Sequence, residues 1–168
     1  MLKLFKQKMT PVGVAEKLVA GTDPADLLKL CRGHFAASDL ERLFGELLTL
    51  QVFLVDYNLW FGIKNAEMRA KVLDAYYPQV VAAAGLAPDF YRTDAFVERM
   101  RAYGSAMKSD DRAKNFNATA LHYFSLKATG PEALAELQTG LLAYVKISSK
   151  TIQSALKKVL ILEQRHAH

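Results

Sequence analysis

The stretch from Leu40 to Ile63, LERLFGELLTLQVFLVDYNLWFGI, limits what this chain can fold into more than any other. Ser38 precedes it and Glu41 follows three residues later. That is a capping box, in which each side chain satisfies a backbone N–H at a helix start. Gly62 lies at its far end and predicts a left-handed C-cap. A helix over 39–62 is about 36 Å long at about 1.5 Å per residue, enough to cross a small domain. A membrane span needs about 20 apolar residues, and Gln51, Asp56 and Asn58 interrupt this run. The stretch therefore predicts the buried central helix of a bundle.

On a helical wheel, Leu40, Phe44, Leu47, Leu54 and Val55 share one face, extended by Leu43, Leu50, Tyr57 and Phe61. Glu41, Arg42, Gly45, Glu46, Thr49 and Asp56 fall opposite and predict a polar side. Gln51 and Asn58 break the pattern by pointing into the apolar face. A buried amide without partners costs about 1–3 kcal/mol. The two therefore bond to neighbouring helices and fix register, or they line an internal pocket. Pockets are few per protein, which favours the first reading.

The flanking chain punctuates itself as helices. Thr10-Pro11 and Asp23-Pro24 are helix starts, closed by Gly21 and Gly33. Asn65 caps a helix carrying Met68, Val72, Leu73, Tyr76 and Val80, which Pro78 is expected to break or kink. Gly85 to Asp89 reads as a loop. Thr93 or Asp94 begins the next helix, with Glu98, Arg99 and Arg101 on its solvent side. Ser109-Asp110-Asp111 starts another, and Thr129 with Glu132 forms a second capping box. The last helical region runs from about 131 to 163, with Ser148-Ser149 as its weak point. No alternating β-branched run or hairpin dipeptide appears. The prediction is an all-α, single-domain bundle of about seven helices, over residues 1–168, around the helix 39–62.

Charge adds a second constraint. The net charge is +5, and the excess sits at the two ends. Lys3, Lys6 and Lys8 lie at one; Lys146, Lys150, Lys157, Lys158 and Arg165 lie at the other. Lys146, Lys150 and Lys157 mark a basic surface opposite the stripe Leu141, Tyr144, Val145, Ile152, Leu156, Val159 and Leu162. Such a face docks on a partner helix, an anionic membrane or a phosphate backbone when it is not simply solvated. Reading elements of nucleic-acid domains are not visible, which disfavours nucleic acid. The first residues hold no continuous apolar stretch of a secretory signal, no transmembrane segment is predicted, and a single cysteine, Cys31, excludes an intramolecular disulfide. The expected location is the cytoplasm.

Candidate chemistry is thin. Cys31 and His34 have a C-x-x-H spacing without the further ligands a zinc site needs. Glu163 and His166 match E-x-x-H once, where di-iron bundles use it twice. Neither supports a metal site, and no cofactor is predicted. His122 is the one histidine inside a predicted helix, and no base–nucleophile pairing follows from the sequence. No catalytic residue is assigned. Asp56, set between Val55 and Tyr57, is a carboxylate whose pKa burial would raise.

The function expected from these residues is that of a non-enzymatic helical module acting through protein association, self-association as a homodimer included. The alternative is small-molecule binding in a pocket around Gln51, Asp56, Tyr57, Asn58, Trp60 and Tyr76. Electrostatic binding through Lys146, Lys150 and Lys157 is the third reading.

Overall fold

A computed structural model describes residues 7–21, 37–126, 131–157 and 159–161, with backbone alone at 37–42, 131–137 and 160–161. The fold is all-α. Six helices are present among the described residues: α1 (Pro11–Gly21), α2 (Ala37–Gly62), α3 (Ala66–Ala83), α4 (Asp94–Ala106), α5 (Arg112–Ser125) and α6 (Pro131–Lys157). A 3₁₀ turn, Phe90–Arg92, joins α3 to α4. The count is six where seven is expected, and the helix expected after Asp23-Pro24 lies outside the described residues. So do Cys31, His34, Glu163, His166, and the side chains of both expected capping boxes.

The helix starts follow from local chemistry. Thr10 Oγ1 accepts from the N–H of Gly13 at 3.1 Å, ahead of Pro11. Asn65 Oδ1 accepts from Met68 N at 2.9 Å, Thr93 Oγ1 from Phe96 N at 3.3 Å, and Asp111 Oδ1 from Lys114 N at 3.3 Å. Each satisfies a donor that has no partner inside the helix. At the end of α3, Gly85 takes φ +67°. Leu86 N donates to Val81 O and Gly85 N to Ala82 O, the paired bonds of a Schellman ending.

Expectations about where helices end are corrected or narrowed. Gly62 is not a left-handed cap; Gly85 is the one glycine of that kind among the described residues. A Cβ on Gly62 would meet Leu156 Cδ1 at 2.8 Å, so its lack of a side chain serves close approach of α6. Of the break or kink expected at Pro78, the break does not occur: α3 runs on to Ala83. Helix α6 passes through Ser148-Ser149 without a break and stops at Lys157. Val159–Ile161 leaves the expected helical stripe and becomes a strand, β2, paired in parallel with β1, Gln7–Met9. A three-residue apolar run has no periodicity to tell strand from helix, and pairing with a distant segment decides it here.

Helix α2 is the centre. It contacts α3, α4, α5 and α6, while α1 packs chiefly on α3. From Glu46 to Val55 every residue is buried. The predicted polar face therefore does not reach solvent at Glu46 or Thr49, and each is satisfied inside. Thr49 Oγ1 donates to Gly45 O at 2.8 Å. Glu46 receives Arg99 from α4, with Nε 3.0 Å from both carboxylate oxygens and Nη2 2.9 Å from Oε1. Arg99, expected on the solvent side, is thus drawn inward by an ion pair.

Helices α2 and α6 run in the same direction. Asn58 meets Gln153 and Gly62 meets Leu156, so position advances together along both. Among the described residues, no helix is long and apolar enough to cross a membrane.

Candidate functional site

The face of α2 that carries Phe53, Asp56, Tyr57, Trp60 and Phe61 repeats at the three-to-four-residue spacing of one helical side. It is not closed over. The turn from α4 to α5 and the outer side of α6 stand beside it and leave a groove of two lobes. The first, about 420 Å³, lies between α2, α5 and α6, lined by Leu54, Phe116, Leu142 and Val145, with Lys146, Lys150 and Gln153 among its polar groups. The second, about 530 Å³, lies between α2 and the α4–α5 turn, lined by Asp56, Trp60, Phe61, Lys108 and Arg112. Phe53, Tyr57 and Met107 line both, so the lobes meet along a shared floor. Each volume falls in the range of about 300–1,000 Å³ usual for ligand sites.

Aromatic packing fixes that floor. Phe53 stacks on Tyr57 at 5.9 Å and on Phe116 at 5.6 Å between ring centroids. Tyr57 meets Phe61 edge-on at 5.0 Å. Behind Phe53 stands Tyr103 at 5.2 Å, then Tyr123 at 6.0 Å from Tyr103, and Arg99 lies 4.5 Å over the Tyr123 ring. A continuous run of rings thus links the Glu46–Arg99 pair to the groove. Burial holds the Tyr103 phenol well above the usual tyrosine range, with Glu46 and Tyr123 adding to it, so the ring acts as a neutral, apolar wall.

At the outer end of the second lobe, Trp60 is 62% exposed and Phe61 54%. Exposure does not leave the indole loose. Arg69 lies 4.2 Å over its ring, and the same guanidinium Nη1 donates to Ile63 O at 2.8 Å and Lys64 O at 3.2 Å. The arginine ties the end of α2 to α3 and holds Trp60 against a fixed cation. Asp56 is half-buried, and desolvation raises its carboxyl above the ordinary range, with the charge of Arg69 opposing.

The six residues expected to share a pocket are divided. Asp56, Tyr57 and Trp60 line the second lobe, and Tyr57 lines both. Gln51 is fully buried in the helix core and lines neither lobe. Asn58 is buried, with Nδ2 donating to Leu54 O at 2.7 Å and Oδ1 accepting from Gln153 Nε2 at 2.9 Å. It lies behind the first lobe and holds Gln153, which lines it. Tyr76 is fully buried in a second aromatic group with Tyr77, Tyr91 and Phe96. Of the basic surface, Lys146 and Lys150 line the first lobe and Lys157 lines neither.

Sequence reasoning did not single out Met107, Lys108, Arg112 or Gln153 as site residues. Lys108 and Arg112 straddle a turn, and nothing local to that turn shows that it borders α2. His122, half a helix away on α5, is exposed, and its ring meets Tyr123 edge-on at 5.3 Å. No cluster of three or more metal-ligating side chains is present among the described residues.

Compared with known proteins, the chain matches no protein-family model, no curated protein and no solved structure.

Proposed function

We propose that this protein is a binding module that works by association, and that the groove beside Tyr57 receives an apolar segment of a partner. One observation carries the reading: the side of α2 that is half-buried at Tyr57 and exposed at Trp60 and Phe61 opens onto two confluent lobes, while Glu46 to Val55 of the same helix are buried. Apolar surface left open next to a buried run of the same helix marks an interaction site. Trp, Tyr and Arg are the residues that carry most binding energy at interfaces, and Tyr57, Trp60 and the stacked Arg69 are gathered here. Trp60 is held before any partner arrives, which lowers the ordering cost of association.

The chain contains one tryptophan, and it stands at the groove. Its emission therefore reports occupancy directly. Titration with anilinonaphthalene sulfonate, an apolar fluorescent anion, is expected to raise dye emission and to quench Trp60 by energy transfer. Leu142→Glu places a charge at an exposed position of the first lobe and is expected to weaken dye binding with little loss of stability. Absence of dye binding to the native protein, or binding indifferent to that substitution and to Tyr57→Ala, refutes the reading.

A further inference from the structure

The cations around the groove say more about its occupant, granted the reading above that the groove is a binding site. Each lobe has its own pair. Lys146 and Lys150 lie one turn apart on α6 in the first lobe. Lys108 and Arg112 face the second from either side of the α4–α5 turn. All four are exposed. The shared floor between the pairs is Phe53, Tyr57 and Met107, with no charge on it. Asp56 is the one carboxylate among the described residues lining either lobe, against four cations, and the charge of Arg69 acts on it as well. From Leu142 to Gln153 the first lobe follows α6 for three turns, about 16 Å.

We infer that the groove takes an acidic amphipathic helix from another protein: an apolar stripe on the floor, with carboxylates on both sides facing the two cation pairs. The layout selects this occupant. An amphipathic helix laid in a groove presents apolar anchors at i, i+3 or i+4, and i+7, a span of about 10 Å that fits within those three turns. Its flanking positions project to either side and reach cations placed in both lobes. A single-headed anionic amphiphile needs one cation pair at one end, and leaves the other without a partner. A nucleic-acid strand needs phosphate contacts along its whole path and bases stacked on open rings. Here the middle of the path is uncharged, and it continues onto aliphatic Leu54, Leu142 and Val145.

The test uses the full chain and Trp60 emission. The probe is a synthetic 14-residue helix with Leu at i, i+3, i+7 and i+10 and Glu at the flanking positions. Its controls are the same peptide with Lys for Glu, palmitate, and a single-stranded oligonucleotide. The Glu peptide is expected to bind, to weaken steeply with salt, and to exceed the Lys peptide on the order of a hundredfold, since like charges across an interface cost several kcal/mol. Reversal of all four cations (K108E, R112E, K146E, K150E), each exposed, is expected to invert that preference. Equal binding of both peptides, or an unchanged preference in the reversed variant, overturns the inference while the groove stands. Preference for palmitate or the oligonucleotide over the Glu peptide also overturns it. If the dye of the preceding section fails to bind as well, the reading of the groove itself falls.

Discussion

Asn58 Oδ1 accepts a hydrogen bond from Gln153 Nε2 at 2.9 Å, joining residues 95 positions apart. Asn58 also gives its amide hydrogen to Leu54 O, one turn back on its own helix. One buried side chain therefore sets the register of α6 against α2 and orients the amide that borders the first lobe. A core amide fixing register is a known use of such groups in paired helices.

Asn58→Leu should remove both bonds and leave the Gln153 amide without its partner. A cost of about 2 kcal/mol is expected. In a chain of this size that lowers Tm by about 4–8 °C. Gln153→Ala alone should cost a comparable amount, because it leaves the buried Asn58 oxygen unmatched. The double variant should fall short of the sum, as the two single changes break one shared bond. Additive melting shifts would show that the bond contributes nothing to register.

The Glu46–Arg99 pair should respond differently to single and double replacement. Arg99→Met leaves a carboxylate buried on α2, at a cost of about 3 kcal/mol. Glu46→Leu with Arg99→Met removes both charges and should recover most of that loss. Chemical denaturation of both variants and the unaltered chain measures it. A double variant as unstable as the single one would mean that Arg99 acts chiefly through its stack on Tyr123.

Asp56 predicts a pH dependence. Burial raises its pKa in the fold, so the folded chain binds that proton more tightly than the unfolded chain does. The ionised group therefore lowers stability. The loss sets in as pH rises above the unfolded carboxyl value, about 3.9, and is complete above the raised folded value. Asp56→Asn should raise Tm at pH 7 and lose that advantage as the pH falls toward about 4. Melts of both chains across that window decide it; a constant difference would point to packing rather than titration.

Gly62 tests how closely α2 and α6 must approach. Gly62→Ala forces Leu156 Cδ1 to move from 2.8 Å, but that methyl is the free end of a flexible side chain. The helix gains about 1 kcal/mol from Ala over Gly, so the net change should be small. Gly62→Val adds bulk that Leu156 cannot clear and should cost about 1–3 kcal/mol. Equal stability of all three would mean that the helices separate freely.

Much of the helical frame was legible because its signals are local. Thr10, Asn65, Thr93 and Asp111 cap helices with donors three residues away, and the sequence alone predicts those contacts. The buried amide Asn58 was legible too, as an amide bonded to a neighbouring helix. What was not legible depends on partners far along the chain. Glu46 and Arg99 each sit on a face that reads as polar, and only their meeting buries them. Val159–Ile161 continues a helical stripe in sequence, and only β1 makes it a strand. The groove was half legible: Asp56, Tyr57 and Trp60 share a side of α2, whereas Lys108 and Arg112 join it through the packing of a turn. Tyr76 reads in sequence as a neighbouring aromatic, but it is fully buried in the group of Tyr77, Tyr91 and Phe96 instead.

The three-residue ladder of β1 and β2 makes the fold self-reporting. Gln7 pairs with Val159, Lys8 with Leu160 and Met9 with Ile161, and parallel strands need a crossover between them. Here that crossover holds all six of the described helices. Closing so long a loop costs conformational entropy before the short ladder returns any of it. The ladder should therefore zip last and open first, and exchange of its amide hydrogens becomes a sentinel for whether every helix between the strands is in place.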